Sequence, residues 1–168
     1  SGIIEAVGEL FLSGLMTAEG VILDSRDRTD RVISEGRTFS YVLHRSDGTD
    51  ERDGTSIVIS QTDIRAIQLA KAALRAGIDL LLEHADCMAP DEIRLAGAFG
   101  AHIDPMYAMV LGLIPDCDLK DVRAVGNAAG SGAARLLLSN RERTAIEQLV
   151  TGIEKIETAT EERFQVLF

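Results

Sequence analysis

Two short strands that each run straight into a glycine turn constrain this chain more than any other feature. Glu92-Ile93-Arg94-Leu95-Ala96 leads into Gly97-Ala98-Phe99-Gly100, and Asp121-Val122-Arg123-Ala124-Val125 leads into Gly126-Asn127-Ala128-Ala129-Gly130-Ser131-Gly132. Helical patterns come after both, over 104–111 and from Ala133 to Leu138. Strands that alternate with helices imply parallel pairing and an α/β layer. Small residues directly after a strand let the backbone turn sharply and let a ligand approach it closely. The carboxyl edge of parallel strands is also where open α/β sheets bind ligands.

The second run does not match a named phosphate motif. It lacks the Gly-Lys-Ser/Thr ending of a P-loop and the spacing of a dinucleotide fingerprint. Two readings stay open: a cradle for a nucleotide, or alanine and glycine serving tight helix–sheet packing. Phe99 is one of five phenylalanines; it either lines a base or plugs the core, and core is the ordinary role of a lone aromatic. If the two turns stand on neighbouring strands, they form one wall of a crevice.

The rest of the chain supplies the frame. Ile3, Ile4, Val7, Leu10, Phe11 and Leu15 recur at helical spacing from the first residues, with Gly14 and Gly20 near the end. An opening this abrupt is expected of a piece of a larger fold. Residues 21–59 read as β structure, with Val21-Ile22-Leu23, Phe39-Ser40-Tyr41-Val42-Leu43 and Ser56-Ile57-Val58-Ile59 as the runs. The polar stretches 24–30 and 45–54 are expected to be exposed and mobile. Ser60-Gln61-Thr62-Asp63 predicts a capped helix to about Glu83, with Ile64, Ile67, Leu74, Ile78 and Leu81 on one face. On that helix Lys71 comes one turn after Gln68, and Lys71 is either a snorkelling surface lysine or a cation facing a ligand. Helices are also expected from Asn140 to about Ile153 and over 161–168, where Phe164, Val166, Leu167 and Phe168 make an apolar end.

Composition narrows the function. The 168 residues suit one domain, 1–168. The 17 basic against 27 acidic residues give a net charge of −10, which opposes nucleic-acid binding and also weighs against a polyanion such as ATP at long range. No apolar run approaches the ~18–20 residues of a membrane span, so no membrane partner is expected, and a cytoplasmic protein is. Cys87 and Cys117, the two cysteines, are too few for an iron–sulfur site and are expected to be buried and inert. His44, His84 and His102 are scattered without ligand spacing, so no metal site is expected.

Taken in order, several stretches resemble one family. They are Ser1-Gly2-Ile3-Ile4-Glu5-Ala6, the run from Gln61 to Ala73, Leu95-Ala96-Gly97-Ala98-Phe99-Gly100, Gly112-Leu113-Ile114-Pro115-Asp116, and Val125-Gly126 through Gly132-Ala133. The chain resembles the C-terminal region of the ferredoxin-type reductive activators of corrinoid proteins. The resemblance implies an α/β fold with a mixed sheet and flanking helices, like one ribonuclease H-like lobe of the actin-like ATPases. It implies that ATP with Mg²⁺ drives electron transfer to cob(II)alamin on a corrinoid protein, giving cob(I)alamin. The [2Fe-2S] ferredoxin domain would lie outside this chain. It assigns the adenosine side of the cleft to Gly97, Ala98, Phe99, Gly100, Gly126, Asn127, Gly130, Ser131 and Gly132, with Gln68 and Lys71 from the neighbouring helix. No residue here would be catalytic, and the chain alone is expected neither to transfer electrons nor to hydrolyse ATP well. A dimerisation or corrinoid-protein docking module is the alternative, motivated by the apolar C-terminus.

Overall fold

The structure is a computed structural model that describes residues 2–45 and 56–168; the expectation for 46–54 lies outside the described residues. Helix α1 (Gly2–Leu12) buries Ile4, Val7 and Leu10 on one side. It stops where Gly14 adopts a φ of +68°, and the Leu15 and Met16 amides both fold back onto the Leu10 carbonyl at 2.9 and 3.1 Å. The 21–23 run contributes only an isolated antiparallel bridge, Met16 to Ile22. The first true strand, β1 (Val32–Glu35), comes later and was not anticipated. It joins β2 (Thr38–His44) through Gly36-Arg37, with Gly36 at a φ of +63°. β3 (Ile57–Ile59) pairs with the other side of β2, antiparallel, with a register shift between Val42 and His44.

The 24–30 stretch is mostly exposed but tethered. Arg28 donates to the Ser13 and Gly14 carbonyls at 3.1 and 3.2 Å, and Arg26 pairs with Asp24 at 2.7 Å while lying over the Phe39 ring. Ser25 within it is buried.

Helix α2 (Gln61–His84) starts as its sequence dictates. The Ser60 hydroxyl accepts from the Asp63 amide at 3.2 Å, and the Asp63 carboxylate accepts from the Ser60 amide at 2.8 Å. This reciprocal cap satisfies two amides that the first turn leaves unpaired. Of the expected apolar face, Ile64 is buried, but Leu74 and Leu81 are 47% and 61% exposed, and Ala76 and Leu80 take the buried positions. The stripe is offset because α2 packs against the hairpin near its start and against a C-terminal helix near its end.

The second half holds β4 (Ile93–Ala96), α3 (Gly97–Gly100), α4 (Pro105–Val110), β5 (Val122–Gly126), α5 (Ala128–Leu138), α6 (Asn140–Val150) and α7 (Glu162–Leu167). β4 and β5 pair in parallel, in a sheet separate from the antiparallel β1–β2–β3. The α/β class with flanking helices therefore holds, with its parallel and antiparallel strands divided between two sheets.

Two apolar clusters hold these parts. One gathers Val7, Leu10, Met16, Ile22, Ile59 and Ile64; the other gathers Ile4, Ala108, Leu113, Ile114 and Val122. Helix α1 serves both along its length, with Ile4 in the second cluster and Val7 and Leu10 in the first. Its contact with α4 is close: the Tyr107 ring lies where a side chain on Gly8 would be, 2.5 Å from an added Cβ. The Tyr107 hydroxyl donates to the Glu9 carboxylate. At the far end, Arg163 of α7 pairs with Glu83 of α2 at 2.6 Å. Cys87 is exposed and Cys117 half-buried, against the expectation of buried thiols. Cys87 sits in the turn after α2, beyond either cluster. No helix is long and apolar enough to cross a membrane.

Candidate functional site

The register of the parallel pair places the two glycine turns side by side. Ile93 pairs with Val122, Arg94 with Arg123, Leu95 with Ala124, and after a shift Ala96 with Gly126. Both turns thus emerge at the carboxyl edge of one sheet. Gly97 has a φ of +87° and Gly126 of +62°, a region closed to most side chains. At each, the space a Cβ would enter holds no other atom within 4 Å. The left-handed turn needs glycine on backbone grounds, and the open side leaves the main chain approachable.

Beyond the first glycine the two turns diverge. After Gly97 the chain makes one short helical turn, and Gly100 is buried against β4. A Cβ there would lie 3.1 Å from the Leu95 carbonyl carbon and 3.3 Å from its Cβ, so Gly100 serves close packing. Phe99 is 57% exposed, which overturns its expected core role: the short turn points it away from the second cluster. After Gly126 the helix begins at Ala128, not at Ala133 as the glycine content led us to expect. Asn127 supplies the cap: its side-chain oxygen accepts from the Gly130 amide at 2.9 Å, and its carbonyl accepts from the Ser131 amide at 3.0 Å. Gly130, Ser131 and Gly132 are therefore the opening turns of a helix. A Cβ on Gly130 would fall 2.5 Å from the Asn127 amide nitrogen, so this glycine makes room for the cap. Gly132 faces the groove between α5 and α6, with Leu136, Ile146 and Leu149, and does not join the mouth.

The residues left at this edge are Gly97, Ala98, Phe99, Gly126, Asn127 and the first residues of α5. None is ionisable. Such a surface can bind through backbone amides of a helix start, an amide side chain, a hydroxyl and an aromatic face. None of these residues is of a type that ordinarily serves as a general acid or base. Among the described residues no group of three His, Cys, Asp or Glu could hold a metal ion. The nearest charges on these strands lie on the amino side: Glu92 pairs with Arg94 at 2.9 Å and Arg123 at 3.3 Å. The Arg94 hydrogen bond holds the Glu92 carboxyl below its usual range, against some desolvation.

Gln68 and Lys71 are not brought to the turns. They line a cleft of about 240 Å³ with Val7, Phe11, Met16 and Ile64. Ile67 and Leu111 line that cleft too, and pack on the second cluster, which also receives Ile93 and Leu95 of β4. Sequence reasoning missed Asn127 as a helix cap, although an Asn with a donor amide three residues on is a legible start signal.

With this geometry in hand, comparison with known proteins gives a consistent answer. A family model described as the C-terminal domain of RACo, the ASKHA domain, matches residues 1–168. The chain belongs to this family. The corrinoid activation enzyme RamQ of Eubacterium limosum is 36% identical over 171 residues, covering 98% of this chain and 29% of that protein. A solved reductive activator for a corrinoid, iron-sulfur protein superposes with a TM-score of 0.83 at 26% identity, covering 98% of this chain and 26% of that one. The chain thus spans under a third of either relative. The actin-like ATPase architecture implied by the resemblance is the one its ASKHA relatives share.

Proposed function

We propose that this RACo-type ASKHA domain forms the adenosine-side wall of a nucleotide cleft. The complete protein would use ATP to return cob(II)alamin on a corrinoid protein to cob(I)alamin. The observation that carries this reading is the pair of adjacent glycine turns, Gly97 and Gly126, with open space above both main chains. The names of the relatives, a corrinoid activation enzyme and a reductive activator, support the wider activity. The fit is to adenosine and not to the whole nucleotide. Gly97 and Gly126 admit the flat base against the backbone, Phe99 offers a ring face, and Asn127 and Ser131 offer polar contacts to ribose. Gly100 and Gly130 act one step back, by seating α3 and the Asn127 cap. When bound, ATP supplies the phosphoanhydride whose cleavage drives the conformational work.

The residues of the two turns include no carboxylate that would hold Mg²⁺. Cys87 and Cys117, 30 residues apart in sequence, do not make the four-thiolate set of an iron–sulfur cluster. By the family resemblance, electron transfer and phosphate chemistry belong to parts of the complete protein outside this chain.

A nucleotide titration of the complete protein tests the site. Ala98→Trp is the variant of choice, because Ala98 is exposed and has ordinary backbone angles. An indole there should fill the mouth, weaken ADP binding at least about tenfold, which is ~1.4 kcal/mol, and leave the melting temperature unchanged. Unchanged affinity would remove the nucleotide reading. Gly130→Val is a poor probe, since it evicts the cap. The activity itself is read by absorbance, as ATP-dependent appearance of cob(I)alamin on an added corrinoid protein.

A second reading, an interaction module, is favoured by the apolar surface of the C-terminal helices. Leu137 and Leu138 are 76% and 88% exposed, and Val166 and Phe168 are 72% and 51% exposed. Light scattering of the complete protein checks its dimer version: a monomer at high concentration removes it.

A further inference from the structure

The cleft that takes Gln68 and Lys71 is built in a way the nucleotide reading leaves unexplained. Its floor is the first apolar cluster, with Val7, Met16 and Ile64 all buried. Its rim is polar, and it carries Lys71 together with the Glu19 carboxylate beside Thr17. Gln68 is fixed there, its amide donating to the Glu19 carbonyl at 2.9 Å and its oxygen accepting from Arg65 at 2.8 Å. Two left-handed glycines hold the rim side chains in place. A Cβ on Gly20, at φ +74°, would lie 2.5 Å from the Gln68 amide nitrogen. One on Gly112, at φ +72°, would lie 3.2 Å from Lys71 Cε. The Lys71 stem therefore rests on the Gly112 turn with its ammonium at the mouth. Among the described residues no carboxylate pairs with it, in a chain with an excess of ten acids over bases.

We infer that this cleft binds a small organic carboxylate, its apolar body on the half-buried Phe11, Ile67 and Leu111 above that floor and its carboxylate on Lys71. An apolar cavity of ~150 Å³ already admits benzene, and this one offers about 240 Å³, room for one aromatic ring or a short aliphatic chain. An unpaired ammonium at the edge of an apolar surface gains most from a ligand that brings its own charge, because a charge-assisted hydrogen bond is stronger than a neutral one. The inference goes beyond the nucleotide reading and does not rest on it.

The test is a titration of the complete protein with benzoate, monitored calorimetrically and by chemical shifts of the Val7 and Ile64 methyl groups. Saturable binding is expected, weakened by added salt as a rim charge requires. Lys71→Met keeps the apolar stem, and should lower affinity about tenfold, the size of one lost charged hydrogen bond, with the melting temperature unchanged. Benzyl alcohol should bind as weakly to the parent as benzoate does to the variant. Four results would each overturn the inference. They are no saturable binding, equal affinity for benzyl alcohol, equal affinity in Lys71→Met, or displacement of benzoate by ADP, which would make the cleft part of the nucleotide site. Failure of Ala98→Trp to change ADP affinity would leave this inference untouched.

Discussion

The two ends of the chain are built to different standards. In the first part, α1, the β1–β2–β3 sheet and the start of α2 close around Val7, Leu10, Met16, Ile22, Ile59 and Ile64, all 6% exposed or less. In the last part, α5, α6 and α7 bury no residue at all. Yet the late helices are amphipathic and properly capped: Ser139 caps α6 through the Glu142 amide at 3.3 Å. Their apolar faces are formed and left open. A parallel sheet is ordinarily covered on both faces, whereas here Ile93, Leu95 and Val122 face the second cluster while Arg94, Arg123 and Val125 face outward. The difference teaches that local sequence rules shape an element fully even where no other described residue buries its apolar face.

Substitutions sharpen the contrast, and the largest effect belongs to the closed end. Ile64→Ala should cost about 2–5 kcal/mol in denaturant unfolding, the usual range for a buried Ile truncation. Leu138→Ala, at the open end, should cost less than about 0.5 kcal/mol; equal losses at the two sites would break the comparison. Next comes the joint between the two clusters. Gly8→Val drives a side chain into the Tyr107 ring and should destabilise by about 1–3 kcal/mol, with loss of the near-ultraviolet tyrosine signal. Asn127→Ala removes the α5 cap and should cost about 1 kcal/mol, read as faster amide exchange at Gly130 and Ser131. The smallest effect is electrostatic. Asp63 sits below its ordinary value of 3.8, chiefly through the Ser60 side-chain hydrogen bond. A depressed carboxyl contributes stability that is complete above its unfolded value and lost as pH falls through the folded one. The acid limb of the stability profile should therefore flatten in Asp63→Asn, and an unchanged limb would discount the cap as its source.

Much of this was legible beforehand, for local reasons. The α2 start could be read from Ser60 and Asp63 because both partners of the cap lie within one turn. The parallel pair could be read from two strand–glycine units because each is short and self-contained. Other features depended on partners far along the chain. Val21-Ile22-Leu23 has the residues of a strand, but only Ile22 finds a neighbour, Met16, to pair with. β1 was missed because Val32-Ile33-Ser34-Glu35 is short, although Gly36-Arg37 beside it is a two-residue hairpin signal. The α5 helix starts ahead of the position its glycines suggest, because the Asn127 cap offsets their low helix propensity. At the candidate site, the positions of Gly97 and Gly126 could be read from strand order alone. That Gln68 and Lys71 line a different cleft could not, since it depends on where α2 meets α1 and the Met16–Gly20 turn.

The contact between Asn127 and Gly130 has a consequence for how such a chain can diverge. A methyl group at position 130 would displace the amide side chain that folds over it, and a shorter residue at 127 releases that room. Change at one position is thereby tied to change at the other. A serine at 127 with an alanine at 130 is the exchange that keeps the helix start, whereas either half made alone gives up the latch or collides with it.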